Sequence, residues 1–268
     1  MKKAYLVLIF ILVSFNLFAQ STKEKEEDQK AMEEANNPLA SFVSFNVQNY
    51  YFAKLTDTDE VGNTAWLRFI SPIGKKIILR ASVPIPTKIA NDSAYQSGIG
   101  NINVFAAYLL SKPTSKSTVG IGPLVVAPTI TENLGSEKWQ LGGAFVFFNA
   151  KSSTLQWGGL VTYQHSVGGS SDNPKTSLAA VQPFYFFQLG KGTYLRGAPI
   201  WVFDIENNAI NIPFGIGLGK VVPVDRIVFN IFLETQFALY NKGAGQPIFT
   251  LFGGINMQFK TDKKNKKQ

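Results

Sequence analysis

Residues 226–240 read RIVFNIFLETQFALY. One parity is apolar: Ile227, Phe229, Ile231, Leu233, then Thr235, Phe237 and Leu239. The other carries Asn230, Glu234 and Gln236 among Val228, Phe232 and Ala238. Alternation marks a β-strand with two unlike faces. It runs over residues 226–239, more than twice the roughly 5–6 residues of an ordinary strand. A strand this long, with large β-branched and aromatic residues on one face and amides and a carboxylate on the other, suits a wall between lipid and a polar lumen.

The same texture repeats from about Ser41 onward. Twelve candidate strands are predicted, at about 41–53, 63–71, 75–84, 98–110, 117–127, 138–149, 154–166, 177–189, 192–203, 209–220, 226–239 and 246–259. In 209–220, Ile212, Phe214, Ile216 and Leu218 alternate with glycines. Strands 138–149 and 177–189 are apolar on both parities, which leaves their facing open.

The connections carry independent information. One alternate series is short, at 72–75, 111–117, 149–153, 190–192 and 222–225. The other is mostly longer, at 54–62, 85–97, 128–138 and 167–176, with moderate members near 204–208 and 240–246. Short periplasmic turns and longer external loops are the habit of outer-membrane barrels. The predicted class is therefore all-β, a transmembrane antiparallel up-and-down barrel of about 12 strands. An even count sets both termini in the periplasm. Twelve strands tilted near 40° give a backbone diameter of roughly 24 Å and a lumen of roughly 10 Å, a narrow channel or a filled one.

The leader MKKAYLVLIFILVSFNLFAQ has a basic start and an apolar stretch shorter than a membrane-spanning helix. It predicts a signal peptide over 1–19, cut after Ala19. Residues 20–37 read as a charged periplasmic lead-in, 38–259 as the barrel, and 260–268 as a Lys-rich periplasmic tail. Leader and tail hold much of the formal +8 charge, so the basic balance gives no reason to expect a nucleic-acid partner. With no cysteine there is no disulfide framework or thiolate metal site, and no cofactor motif is found. The expected partners are outer-membrane lipid and lipopolysaccharide, the barrel-insertion machinery, and a small solute.

Parity places Glu234, Asn230, Gln236, Arg68, Arg80 and Arg196 toward the lumen. Glu234 with the arginines fits a selective constriction, since charged rings tune pores. It fits equally a structural ion pair bracing a closed lumen. Amides such as Gln140, Gln156, Gln182 and Gln258 share the interior parity and suit small polar or neutral solutes, or simply hydrate the interior. Tyr50, Tyr51, Trp139, Tyr163 and Tyr240, with Phe148, Trp157 and Phe259 at the other end, are candidates for the two aromatic girdles. His165, the sole histidine, stands beside Ser166. Neighbouring strand residues point to opposite faces, so the two are poorly placed as base and nucleophile. A catalytic role is not expected.

Three segments carry a family likeness: 37–51 (NPLASFVSFNVQNYY), 120–148 (GIGPLVVAPTITENLGSEKWQLGGAFVFF) and 182–196 (QPFYFFQLGKGTYLR). They resemble the outer-membrane barrel family named for the meta-pathway of phenol degradation, also called transporter and mislabelled neuromedin U. The resemblance runs from about Asn37 to Phe259. It implies passage of small molecules, hydrophobic or aromatic ones included, and no catalytic residue. The FAQ leader looks like those of Bacteroidota. Two readings stand beside transport: a closed barrel acting through its external loops, and, less favoured, an outer-membrane hydrolase.

Overall fold

The computed structural model describes residues 32, 34–40, 42–91, 94–112, 115–131 and 134–259, with the side chains of 87–95 outside the description. The leader, most of the charged lead-in and the Lys-rich tail lie outside the described residues. The strands are β1 (Val43–Leu55), β2 (Gly62–Ile73), β3 (Ile77–Asn91), β4 (Ala94–Gln96), β5 (Ile102–Leu109), β6 (Ser117–Ala127) and β7 (Trp139–Asn149). They continue as β8 (Leu155–Gly168), β9 (Ser177–Gly190), β10 (Thr193–Gly197), β11 (Trp201–Asp204), β12 (Ala209–Val224), β13 (Ile227–Lys242) and β14 (Pro247–Phe259).

Successive wall strands pair antiparallel, and β14 returns to β1 in register from Val43↔Phe259 to Tyr51↔Leu251. Closure leaves the wall without an edge, as a sheet in lipid requires. β10 and β11 are two halves of one wall strand. Both pair with β9 on one side and β12 on the other. β4 pairs only with the end of β3, beyond the wall. The barrel thus has twelve strands.

One break in the wall was not expected: 192–203 reads as a single strand, yet Ala198, Pro199 and Ile200 interrupt it. Proline cannot donate to a ladder, so a proline in mid-strand forces a departure from pairing. That departure turns the Ala198 N–H toward the interior.

The outer face is greasy and the inner face polar. On β13, Leu233, Phe237 and Leu239 are exposed at 61%, 48% and 72%. Asn230, Glu234 and Gln236 are buried at 2%, 0% and 4%. Exposed Phe45, Phe69, Ile121, Phe145, Val161, Phe214 and Ile255 continue the apolar face around the barrel. In water so much exposed large apolar area is a liability. Against hydrocarbon it is the solvated state.

Two aromatic assignments need correction. Phe148 and Tyr50 are 1% and 6% exposed and point inward, not to an interface girdle. Phe148 packs near Phe184, and Tyr50 stacks on Phe252 with ring centroids 4.0 Å apart. An interior as wide as that of a twelve-stranded barrel takes large side chains as well as polar ones. Trp139, Trp157, Tyr163 and Phe259 do lie on the outside.

Candidate functional site

The centre of the interior is built on Glu234. Its carboxylate accepts from Arg196 Nε at 2.8 Å, from Ala198 N at 3.0 and 3.1 Å, and from Gln236 Nε2 at 2.8 Å. The arginine side chain is 7% exposed and the glutamate 0%. A buried charge is tolerated when it is paired and its remaining lone pairs are satisfied, and both conditions hold here. Each donor has a distinct local origin. Arg196 is the last inward residue of β10, Ala198 belongs to the break, and Gln236 is the next inward residue along β13. The guanidinium also lies over the Phe232 ring, 3.7 Å from Cζ to centroid, with the Phe252 ring at 5.3 Å. Cation–π contact offsets part of its desolvation.

Room for this cluster comes from β12. Its inward positions include Gly215, Gly217 and Gly219. A Cβ on Gly215 would collide with the Glu234 carboxylate, and one on Gly219 with the Tyr194 ring. The glycines of 209–220 thus serve as a recess for side chains from β10 and β13.

Asn230, two inward positions nearer the chain termini than Glu234, ties down the chain before β1. Its Nδ2 donates to Ala35 O at 3.2 Å and Asn36 Oδ1 at 2.9 Å, while its Oδ1 accepts from Tyr194 Oη. Gln258 on β14 donates to the same Ala35 carbonyl at 2.8 Å. Ala35, Asn36 and Leu39 are buried. Residues 35–40 therefore cross inside the end of the barrel where the termini and short turns lie. We call this segment the strap.

Arg68 and Arg80 project into the interior from β2 and β3. Arg68 donates to Gln48 Oε1 and lies over Trp66, 4.8 Å from the ring centroid. Arg80 lies over Phe105 at 4.3 Å. A cavity of about 160 Å³ reaches both, along with Arg196, the strap, Asn46 and Gln258. Glu234 and Gln236 do not line it. A second space of about 370 Å³ lies toward the long loops, lined by Trp66, Asn101, Asn103, Gln140 and Gln164 among others. The 128–138 loop is pinned there, Asn101 Nδ2 donating to Ser136 O at 2.6 Å and Ser136 N to Asn101 Oδ1 at 2.7 Å.

The amides pair with one another across strands. Gln164 donates to Gln140 at 2.8 Å, Gln188 to Gln156 at 3.3 Å and Gln48 to Asn256 at 2.8 Å. Gln182 donates to the Ala198 carbonyl at 3.0 Å, bracing the strand break.

Sequence reasoning missed Tyr194, Gln48, the Ala198 amide and the strap. Gly197-Ala198-Pro199 was the available signal for the break; for the strap there was none, because Asn230 and Ala35 are 195 positions apart. His165 is exposed on the outer face with its ring 6.0 Å from that of Tyr163, while the Ser166 hydroxyl accepts from Thr176 N at 2.8 Å. The two are not assembled as a nucleophile and base. Among the described residues no group of three or more His, Asp or Glu is placed to hold a metal.

No family model matches the chain, and no curated protein matches it. Solved structures do. The COG4313 outer membrane channel from Pseudomonas putida F1 superposes with a TM-score of 0.60 at 13% identity, over 82% of this chain and 97% of that one. The NanC porin gives 0.53 at 9% identity, over 82% and 100%. The KdgM porin gives 0.50 at 10%, over 82% and 99%. This is the fold of outer-membrane channels. At such identities the likeness carries architecture and not solute.

Proposed function

We propose that the chain is a non-enzymatic outer-membrane channel for small molecules, passing them down their gradient. The observation that carries this reading is the inverted polarity of the closed barrel: an apolar outside around an inside of arginines and amides that still holds cavities. Long loops outside the cell and termini in the periplasm follow from the usual habit of such barrels. The pinned 128–138 loop is then an outer vestibule, and the strap narrows the periplasmic mouth. Membership of the phenol meta-pathway barrel family remains part of this proposal, supported by the three segments quoted above and by the channel fold.

The strap and the buried aromatic cluster also favour a second reading, a closed barrel that acts through its loops. Planar-bilayer conductance separates the two. Folded, inserted wild type and an Asn230→Ala/Gln258→Ala variant with a loosened strap are compared. Discrete steps in either support a channel, and larger steps in the variant make the strap its gate. Silence from both, with insertion shown by heat-modifiable mobility, overturns the channel reading.

A further inference from the structure

The interior treats its arginines unequally. Arg196 has Glu234. Among the described residues neither Arg68 nor Arg80 has a carboxylate partner, and the Nε of each is buried without a hydrogen-bond acceptor. The two are close by construction. Arg68 registers with Ser82 and Ile70 with Arg80, so the arginines are diagonal neighbours on one inward face, about 7–8 Å apart with their Cβ atoms somewhat closer. Like charges in that position repel, and the low dielectric of an enclosed space strengthens the repulsion. Cation–π contacts with Trp66 and Phe105 offset part of the cost, and one Arg68 N–H already donates to Gln48, but the Nε–H of each arginine still lacks an acceptor.

The cavity that reaches both arginines has a second character. Ile70, Ile78, Phe105, Val146 and Leu160 line it too. At about 160 Å³ it is below the roughly 300–1,000 Å³ of drug-sized pockets. Guanidinium groups hydrogen-bond carboxylates in a forked geometry that matches two oxygens. An apolar wall penalises a strongly hydrated dianion, which must be desolvated, and rewards a hydrocarbon body.

We propose that Arg68 and Arg80 bind a small monocarboxylate with an apolar body, its carboxylate on the two guanidinium groups and its body against Ile78, Val146 and Leu160. The Asn46 side-chain oxygen, also buried without a donor, borders the same space and can accept from a water that the bound carboxylate shares. The inference deepens the channel reading, on which it rests for calling the ligand a transported solute. The binding itself is independent of passage.

The test uses the refolded full-length barrel in detergent micelles, with folding checked by heat-modifiable mobility. Butyrate is titrated calorimetrically at constant ionic strength, with butanol, butylammonium and inorganic phosphate as comparisons and empty micelles as the blank. Saturable binding of butyrate, with the alcohol and the amine at the blank, is expected. Arg80→Gln and Arg68→Gln should each weaken it about ten- to a hundredfold, the worth of one charge-assisted hydrogen bond. Arg80→Lys keeps the charge and should lose less, which separates lost recognition from lost folding. Butyrate binding at blank level, or unchanged in both glutamine variants, overturns the site. Phosphate binding as tightly as butyrate overturns the apolar-body specificity. Butyrate binding by a barrel that is silent in bilayers upholds the site while the channel reading fails. Conductance without butyrate binding does the reverse.

Discussion

Breaking the Arg196–Glu234 pair from either side should cost far more than removing it whole. Glu234 is fully enclosed, and its two oxygens accept from Arg196, the Ala198 amide and Gln236. Arg196→Met leaves that carboxylate with two neutral donors and no counter-charge, a loss of about 3–5 kcal/mol. Glu234→Gln keeps an acceptor for Ala198 but strands a guanidinium that is 7% exposed. Contact with the Phe232 and Phe252 rings softens this, so about 2–3 kcal/mol is expected. In the double variant the glutamine still accepts from Ala198, the methionine packs on the same rings, and no buried charge remains. It should lose only about 1–2 kcal/mol, against about 5–8 if the two losses added. The measurement is urea unfolding of each barrel refolded into lipid vesicles, followed by tryptophan fluorescence and extrapolated linearly. Losses that add to within about 0.5 kcal/mol would refute the claim that these groups act as a pair. Singles that each cost less than about 1 kcal/mol would place water or another counter-charge beside them.

Other parts of the structure make their own predictions. Gly215→Ala drives a methyl into the Glu234 carboxylate and should destabilise the refolded barrel by about 1–3 kcal/mol in the same urea assay. Leu233→Arg puts a charge on the outer face near the middle of β13 and should cost about 2–4 kcal/mol in vesicles, whereas a soluble protein would tolerate it at a residue 61% exposed. The Asn230→Ala/Gln258→Ala variant should leave the barrel folded but make residues 32–40 cleavable by added protease, since Ala35 loses both of its side-chain donors. His165→Ala should leave any phospholipid hydrolysis by the purified protein unchanged, because His165 is exposed and unpaired with Ser166; a drop in lipid hydrolysis would reopen the enzyme reading.

The wall was legible because lipid imposes one rule on every strand. Alternation with period two sets the facing of β13, β12 and β6 without knowledge of neighbours. The interior was less legible because there the rule is packing, which is not periodic. Tyr50 shares its parity with Ser44, Asn46 and Gln48, yet an aromatic near a strand end reads as a girdle residue until Phe252 is seen stacked on it. Phe148 lies in a strand apolar on both parities, so nothing local chose its side. The break at Ala198-Pro199 had a local cause in proline. Its use, delivering an amide to a carboxylate 36 residues away, did not. The strap is the extreme case. Its partners Asn230 and Gln258 lie together on the β13–β14 hairpin, but 195 and 223 positions along the chain from Ala35.

The inward residues of β13 divide their work. Glu234 holds β13 to the broken β10–β11 strand, Gln236 supports its carboxylate from the same strand, and neither lines a cavity, so their polarity is structural. Asn230 holds the strap and lines the cavity at once. Reading a polar inward residue as a pore residue is therefore too coarse. The better criterion is satisfaction. A buried polar group whose partners lie within the fold contributes to the wall, while one left without a partner beside a cavity is available to a ligand. By that criterion the brace is Glu234–Arg196, and the donors left over beside a cavity are the Nε–H groups of Arg68 and Arg80, where the proposed carboxylate would bind. Selectivity should then change with variants on β2 and β3 and stability with variants on β10 and β13, a separation that the bilayer, calorimetric and urea measurements resolve independently.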